Sequence, residues 1–227
     1  GMNDTQPTLL LTRPEPQSRS FLALCEQRLN RRLPTVISPI IEIEPTGDMP
    51  DLGRFATVIF TSANGVRVAS DRIRRKQVAT VGERTAILAR EFGADARALG
   101  RNVDEFVKNA SGIVGPALHC RGVHSRGGLA SRLSSLGVEV EEAVIYDQKQ
   151  RPLSSAAHAI LSGSGPIVIP VFSPRSAELL SRYPIEGTCE VLALSEAVAN
   201  AWIGVGQIKI AAEPTRDAMV DLIETVF

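Results

Sequence analysis

The sequence predicts an α/β fold in which parallel sheets are covered by helices, arranged as two domains with one inserted into the other. Three observations predict it. Short β-branched runs alternate with helix-like segments, most runs end in a small or polar residue directly before a helix start, and segments of the first half recur in the second. A chain of 227 residues is long enough for two small domains, each with its own core.

The expected strands are short apolar runs bounded by polar or turn residues. In chain order they are 8–12, 57–62, 77–82, 116–122, 166–173, 190–195 and 208–212. Ser62 stands before one helix start, and Ser173 before another, where Pro174 suits the first helical position. Such joins lie at the carboxyl ends of strands, which is where open α/β sheets bind ligands.

The chain repeats itself at a nearly constant spacing. The matching blocks are 58–70 with 169–181, 79–91 with 192–204, and 98–109 with 211–222. Ser173 follows Ser62 after 111 residues, and Ser195 follows Gly82 after 113. A fourth pair breaks the order, because "LHCRG" (118–122) resembles "LLLTRP" at the amino terminus. The repeat therefore predicts that one domain is inserted into another that is built from both chain ends.

The insertion fixes the expected domain boundaries. The first domain takes residues 2–37 plus 150–227, and the inserted domain takes 48–142. Residues 38–47 and 143–149 are expected to be linker strands, which could pair as a ladder. A cleft between two such lobes is the expected ligand site.

Composition excludes several classes of protein. Hydrophobic residues make up 44% and charged residues 22%, and 25 basic side chains balance 25 acidic ones, which argues against a general nucleic-acid binder. Three well-separated cysteines without a CxxC pair support neither a zinc site nor a disulfide framework, so we expect a cytoplasmic protein without a metal. The longest apolar runs are too short to span a bilayer.

Motifs along the whole chain give it a family resemblance. They are "LLLTRP" (9–14), "VIFTSANGV" (58–66), "VATVGERTA" (78–86), "RG" with a following "R..L" (121–129), "VIYD" (144–147), "VFSPRSAELL" (171–180) and "EPTRDAMVDLI" (213–223). In this order they resemble the uroporphyrinogen-III synthase family. One turn departs from the family pattern: where a Gly-Pro-Thr-like sequence is usual, this chain has Ser195, Glu196, Ala197 and Val198.

The resemblance implies two flavodoxin-like (Rossmann-like) parallel-sheet domains joined by a two-stranded linker. It implies a hydro-lyase of tetrapyrrole and heme biosynthesis that closes linear hydroxymethylbilane to uroporphyrinogen III, with ring D inverted through a spiro intermediate. It implies no cofactor. The expected partner is this small polycarboxylate, with no nucleic acid and no membrane, and we expect a monomer.

Helix starts and arginines are the expected binding groups for a substrate with eight carboxylates. Helix amino termini offer free N–H groups and a favourable dipole to anions. The expected helix-start residues are Ser62, Ala63, Asn64, Gly82, Glu83, Arg84, Ser173, Pro174, Arg175 and Ser195. Their alternative role is plain helix capping. Arg13, Arg121 and Arg126 could bind carboxylates in a bidentate manner, the alternatives being solvation or a structural ion pair.

Tyr146 is the expected catalytic residue, because the resemblance puts a tyrosine at this linker position and loss of hydroxide benefits from a hydrogen-bond donor. The alternative is a linker residue that packs its ring and exposes its hydroxyl. Thr85 is the second catalytic candidate, although it could also cap its helix.

Two other functions compete with the cyclising enzyme. The first is a two-lobed binding or sensing protein of the same fold with weakened catalysis, which the altered turn at Ser195 favours. The second is a receiver-like signalling module, against which the sequence shows no acidic cluster at the end of its first strand.

Overall fold

The computed structural model describes residues 6–125 and 128–227, in which strands and helices alternate. The strands run in chain order as β1 (Thr8–Leu11), β2 (Thr35–Ile37), β3 (Ile41–Pro45), β4 (Thr57–Phe60), β5 (Gln77–Val81), β6 (Asp95–Gly100), β7 (Ala117–Gly122), β8 (Val140–Gln150), β9 (Ile167–Val171), β10 (Cys189–Ala193) and β11 (Gln207–Ile210). They form two separate sheets.

The helices connect these strands. They are α1 (Glu15–Leu29), α2 (Ala63–Ala69), α3 (Glu83–Glu91), α4 (Val103–Lys108), α5 (Leu129–Ser135), α6 (Ser155–Ser162), α7 (Pro174–Leu180), α8 (Glu196–Ala201) and α9 (Arg216–Val226). Within residues 6–125 and 128–227, no helix has the length and apolar character that crossing a membrane requires.

The chain forms two compact units. One, the terminal unit, consists of the chain up to Glu42 together with Gln150–Phe227; the other, the inserted unit, consists of Ile43–Lys149. The linker strands expected at 38–47 and 143–149 correspond to β3 and β8, and both chain passages between the units lie in these two strands.

The terminal unit contains a parallel sheet in the order β11-β10-β9-β1-β2. Numbered along its own strands, this is the order 2-1-3-4-5 of flavodoxin-like folds. Leu9 and Leu11 of β1 and Val168 of β9 face α1 and α9, where they meet buried side chains such as Phe21 and Met219. The predicted α/β fold class is confirmed.

The inserted unit contains the sheet β3-β8-β7-β4-β5-β6. By the sequence repeat, β4, β5 and β6 correspond to β9, β10 and β11, while β7 and β8 correspond to β1 and β2. Read in these pairs, β8-β7-β4-β5-β6 has the same spatial order as β2-β1-β9-β10-β11. The out-of-order fourth block is therefore a circular permutation: the strand pair that begins the terminal unit ends the inserted one.

Both faces of the inserted sheet are covered, as is usual for parallel sheets. Every residue of β4 is buried, so its apolar run is continuous. Val58 and Phe60 pack on the face covered by α2 and α3. Ile59 points to the other face, where it packs with Phe106 of α4 and Leu129 of α5.

Strand β8 is longer than the linker strand expected there. Its first part pairs in parallel with β7, from Ala117 opposite Val140 to Gly122 opposite Tyr146. Its other edge adjoins β3, with the Thr46 N–H donating to the Ile145 carbonyl at 3.0 Å. Tyr146 is thus held within a sheet rather than on a free connection.

Strand β6 was not expected from the sequence. Its residues "DARALG" contain no β-branched side chain, so the local β propensity is low. It lies at a sheet edge and pairs with β5 from Asp95 opposite Gln77 onward. Pairing with a buried neighbour, rather than local preference, makes this segment a strand.

Candidate active site

Each sheet reverses its strand order once, and ligands of open α/β sheets bind at the carboxyl ends of the strands beside such a point. In the terminal unit the neighbours at the reversal are β1 and β9. Arg13 and Ser173 lie just beyond their ends. In the inserted unit the neighbours are β4 and β7, where Ser62 follows one strand and Gly122 ends the other. Some of the expected site residues therefore lie at both reversal points, while Gly82 and Ser195 follow the neighbouring strands β5 and β10.

Tyr146 and Ser62 form a hydroxyl pair at the reversal point of the inserted unit. The Tyr146 Oη lies 2.8 Å from the Ser62 Oγ, and either hydroxyl can donate. Ser62 is also the N-cap of α2, where its Oγ accepts the Gly65 N–H at 3.4 Å. Tyr146 is only 5% exposed. The hydroxyl of this largely buried residue is paired with Ser62, and the alternative of a linker residue that packs its ring stays open.

Gly122 makes room for the tyrosine ring. A Cβ atom at this position would lie 2.5 Å from the Tyr146 Cε2 and 2.6 Å from its Cζ, well inside van der Waals contact. The register between β7 and β8 shifts between Arg121 and Gly122, which places Gly122 opposite Tyr146. With its present position, the ring leaves no room for a side chain at Gly122.

The surroundings keep Tyr146 protonated. Burial raises the pKa of its phenol above the ordinary value of 10.0, and the hydrogen bond with Ser62 acts in the opposite direction. A phenol of this kind is neutral at physiological pH and can donate a hydrogen bond to a leaving hydroxyl.

A buried histidine, His119, lies beside Thr61, which is the residue before Ser62. The His119 Nε2 is 3.4 Å from the Thr61 Oγ1, and its ring is 1% exposed. Burial lowers the pKa of His119 to about 4, so the ring is neutral. The His119 Nδ1 has no hydrogen-bond partner among residues 6–125 and 128–227. Sequence reasoning gave His119 no role; the available signal was a polar residue inside a buried strand, two positions before Arg121.

Arg121, one of the expected carboxylate-binding arginines, has hydrogen-bond partners within the inserted unit. The Arg121 Nε donates to the Glu142 Oε2 at 3.0 Å, and its Nη1 donates to the Gly122 carbonyl. This geometry favours the structural ion pair that was the alternative for Arg121. Helix α5 begins at Leu129, and the expected site residue Arg126 lies outside the described residues.

The helix start after β5 carries four expected site residues. Gly82 precedes α3 with a φ of 87°, a conformation that favours glycine. Glu83 is exposed and pairs with Arg90 at 2.9 Å, while Arg84 is exposed. Thr85 is buried, and this helix start has no side-chain cap. Main-chain N–H groups and the exposed Arg84 are therefore the candidate anion-binding groups at this helix start.

The terminal unit repeats the same cap. Ser173 has φ and ψ of −144° and 150°, against −145° and 152° for Ser62. Its Oγ accepts the Ser176 N–H at 3.1 Å, and Pro174 is the first residue of α7, as expected. Ala63 and Asn64 stand in the matching first turn of α2.

Cationic and polar groups flank that second cap. The Arg13 guanidinium lies 4.3 Å from the centre of the Phe172 ring. The Arg175 Nε is buried without a hydrogen-bond partner in the described part of the chain. Ser195 caps α8 and accepts the Val198 N–H at 3.3 Å. The unusual turn at Ser195 thus retains a hydroxyl at the helix start.

No group of three or more His, Cys, Asp or Glu side chains within residues 6–125 and 128–227 is placed to hold a metal ion. The three cysteines are free and buried. Burial raises the thiol pKa to about 12 for Cys25 and Cys120 and to about 11 for Cys189. These thiols are protonated at neutral pH.

Solved structures with the same fold cover nearly all of the chain. A uroporphyrinogen-III synthetase from Helicobacter pylori matches with a TM-score of 0.66 and 16% identity, covering 98% of this chain and 100% of that one. A mutant uroporphyrinogen III synthase from Thermus thermophilus matches with a TM-score of 0.55 and 12% identity, covering 97% and 98%. At these identities the likeness shows a shared fold.

Sequence comparison adds the family. A uroporphyrinogen-III synthase of Chlorobaculum parvum is 30% identical over 160 residues, which span 62% of this chain and 63% of that relative. The family model described as uroporphyrinogen-III synthase HemD matches residues 30–221, a range that contains Ser62, Gly122 and Tyr146. The chain therefore belongs to the uroporphyrinogen-III synthase family.

Proposed function

We propose that this chain is a uroporphyrinogen-III synthase: it removes water from hydroxymethylbilane and closes it to uroporphyrinogen III with ring D inverted. The observation that carries the proposal is the family match over residues 30–221. The buried hydroxyl pair of Tyr146 and Ser62 at a strand-order reversal supports it, because the first chemical step needs a donor for a departing hydroxide.

The proposed reaction begins at Tyr146. As the carbon–oxygen bond of the hydroxymethyl group breaks, the electron pair stays on the departing oxygen, which takes the phenolic proton and leaves as water. The electron-rich pyrroles stabilise the carbocation, which the substituted α-carbon of ring D attacks to form a spiro intermediate. The bond from that carbon to its original methylene bridge then breaks, and the methylene cation so formed bonds to the free α-carbon of ring D. The pyrrole carbon then loses a proton, which returns to the phenolate. Tyr146 is therefore unchanged over one turnover.

Positioning is the larger part of the proposed catalysis, since the pyrrole chain must present one carbon of ring D to the cation. We propose that the substrate carboxylates bind at the strand ends of each unit. Arg13, Arg84 and Arg175 would supply cationic groups, and the helix starts after Gly82 and Ser195 would supply main-chain N–H groups. Glu83 and Arg121 already have ionic partners, so Glu83 would contribute only its N–H.

The full set of binding residues stays a prediction. Besides those named, it comprises Ser62, Ala63, Asn64, Ser173, Pro174, Arg126 and the second catalytic candidate Thr85. Their position at strand ends supports the proposal for those that the structure describes. Thr85 would have to act from a buried position in α3.

The isomer produced tests the function. Hydroxymethylbilane would be generated in situ by the enzyme that forms it, this protein would be added, and the oxidised uroporphyrins would be separated by chromatography. We expect isomer III to dominate. Isomer I alone, which is the product of uncatalysed closure, would overturn the proposal. Isomer I together with tight binding of hydroxymethylbilane would instead favour the weakened binding protein, which the family match does not favour.

We further propose that the protein acts in the cytosol as a monomer. Three free, buried thiols support a reducing compartment. Light scattering across a range of protein concentrations tests the monomer. A dimer would be expected to use the sheet edge at β11, where Ile208 and Ile210 are 39% and 46% exposed.

A further inference from the structure

We propose that Ser62 is a positioning residue for Tyr146: it aims the phenol and stabilises the phenolate that forms when the proton leaves. This inference rests on the proposed function, because it assigns Ser62 a part in that reaction beyond its expected role in binding substrate. Two contacts and one electrostatic effect at Tyr146 support this role.

The first contact is compatible with Ser62 as the donor to the phenol. A serine hydroxyl has one proton to donate and two lone pairs. One lone pair of the Ser62 Oγ accepts the Gly65 N–H at the start of α2. The hydroxyl proton is then available to the Tyr146 Oη, 2.8 Å away. With Ser62 as donor, the phenol keeps its own proton for the substrate.

The second contact fixes the ring. Gly122 lies opposite Tyr146 in the strand pair of β7 and β8, and the ring covers the space that a Cβ atom would need. The ring cannot move toward β7, and its hydroxyl is held by Ser62. The phenol is therefore held on the side of Gly122 and at its hydroxyl, which is the preorganisation that efficient proton donation requires.

The third observation is electrostatic. Burial disfavours the phenolate, whereas the hydrogen bond from Ser62 favours it. Without the Ser62 hydroxyl, proton donation by Tyr146 would leave a buried phenolate that has lost this hydrogen bond. The loss of Ser62 should therefore slow the chemical step rather than substrate binding.

The repeat shows that this pairing is not part of the cap itself. Ser173 has the same backbone conformation and caps α7 in the same way, but its hydroxyl donates to the Ser176 Oγ at 3.0 Å. The cap is common to both units, while the bond to a tyrosine is found at Ser62.

Titration of the phenol tests the contact independently of catalysis. The chain has two tyrosines, so a Tyr183→Phe background leaves Tyr146 as the only phenol, which can be titrated by its absorbance near 295 nm. In this background we expect Ser62→Ala to move the titration to higher pH, because the hydrogen bond that lowers the pKa is removed. Ser62→Thr should restore the parent titration.

Kinetics tests the role in the reaction. We expect Ser62→Ala to lower the kcat for isomer III by roughly tenfold or more, the size of one hydrogen bond to a charged group, with little change in KM. Ser62→Thr should recover most of that loss. Ser154→Ala is the matched control, because Ser154 caps α6 through the Ala157 N–H and belongs to the terminal unit. It should cost similar stability and leave kcat unchanged.

Gly122→Ala gives a second variant in case the loss of the α2 cap unfolds the protein. The added methyl group should displace the ring, reduce isomer III to the level of Tyr146→Phe, and change the phenol titration. Gly165→Ala is its control, since a Cβ atom there meets nothing within 4 Å.

The outcomes separate the two proposals. A Tyr146 titration that is the same in Ser62→Ala and the parent overturns the contact, whatever the enzyme does. A shifted titration with an unchanged kcat overturns the positioning role. If the parent forms no isomer III, the proposed function fails and the catalytic role of Ser62 fails with it, while the titration still reports on the contact.

Discussion

Tyr146 is the residue on which the proposed chemistry depends most directly. Tyr146→Phe removes the donor but keeps the ring that packs on Gly122, so the fold should be preserved. We expect the rate of isomer III formation to fall by about tenfold or more, with a matching rise in isomer I. Chromatography of the oxidised products measures both, and thermal unfolding checks the fold. Tyr183→Phe should retain full activity, and an unchanged rate in Tyr146→Phe would remove Tyr146 from the mechanism.

His119 should make the protein sensitive to acid. Its pKa is about 4 when folded and 6.5 when exposed, because burial disfavours the charged ring. Between these values the unfolded chain binds a proton that the folded protein does not. The contribution of His119 is therefore fully present above pH 6.5 and is lost as the pH falls toward 4. From pH 7 to pH 5 we expect a loss of about 2 kcal/mol in the free energy of unfolding.

Urea unfolding at the two pH values measures this loss. His119→Gln cannot titrate and should show a flatter dependence on pH. Equal pH dependence in the parent and in His119→Gln would contradict the assignment.

Individual site residues could be predicted from the sequence more readily than their contacts. Ser62 was expected from its place at a strand end, and Tyr146 from the family resemblance. Their hydrogen bond joins residues 84 apart and depends on a register shift between β7 and β8 that no local pattern indicates. The same pairing places Glu142 beside Arg121, which is why an expected carboxylate-binding arginine has a partner within the sheet.

Ser195, the N-cap of α8, lies in the turn that departs from the family pattern, and substituting it tests the role of that turn. Ser195→Ala removes the hydroxyl that accepts the Val198 N–H and should lower the free energy of unfolding by about 1 kcal/mol. If this helix start also binds a carboxylate, KM should rise while kcat is retained. Ser195→Thr keeps the hydroxyl and should preserve both stability and KM. Urea unfolding and steady-state kinetics on the three proteins decide between a cap alone and a cap that binds substrate.

The elements that the sequence predicted best are the buried strands. Continuous apolar runs such as β4 and β9 are typical of parallel strands covered on both faces, and both lie within their expected ranges. Helix starts were also predictable, because Ser62 and Ser173 cap α2 and α7 as expected. The edge strand β6 was missed, since its structure comes from pairing with β5 and not from its own composition.

For the whole molecule, the inserted unit should fold by itself. Its sheet has buried side chains on both faces, and these come from residues of the same unit. We expect a fragment spanning Ile41–Gln150, which keeps β3 and β8 complete, to show native-like circular dichroism and cooperative urea unfolding. A fragment without a cooperative transition would show that its stability depends on the rest of the chain.

The insertion and the repeat could both be predicted from the spacing of similar sequence blocks. Blocks that recur at a nearly constant offset, with one block out of order, are compatible with few topologies. The sequence could not show that corresponding strands have the same neighbours in both sheets. Strand neighbours are set by pairing between segments that are far apart in the chain. The switch-point position of the site follows from that order and could be identified only once the sheets were known.

The insertion also predicts the order in which the two units fold. For the terminal unit, the 107 residues Ile43–Lys149 are one long loop, and closing a flexible loop of that length costs about 4 kcal/mol of chain entropy. Once the inserted unit has folded, its two ends leave from the adjacent strands β3 and β8, about 5 Å apart, and most of that entropy has already been lost. Pulse-labelled hydrogen exchange should therefore detect protection in β4, β5 and β7 before β1 and β9. The inserted unit would then fold first and thereby bring together the two chain segments that form the terminal unit.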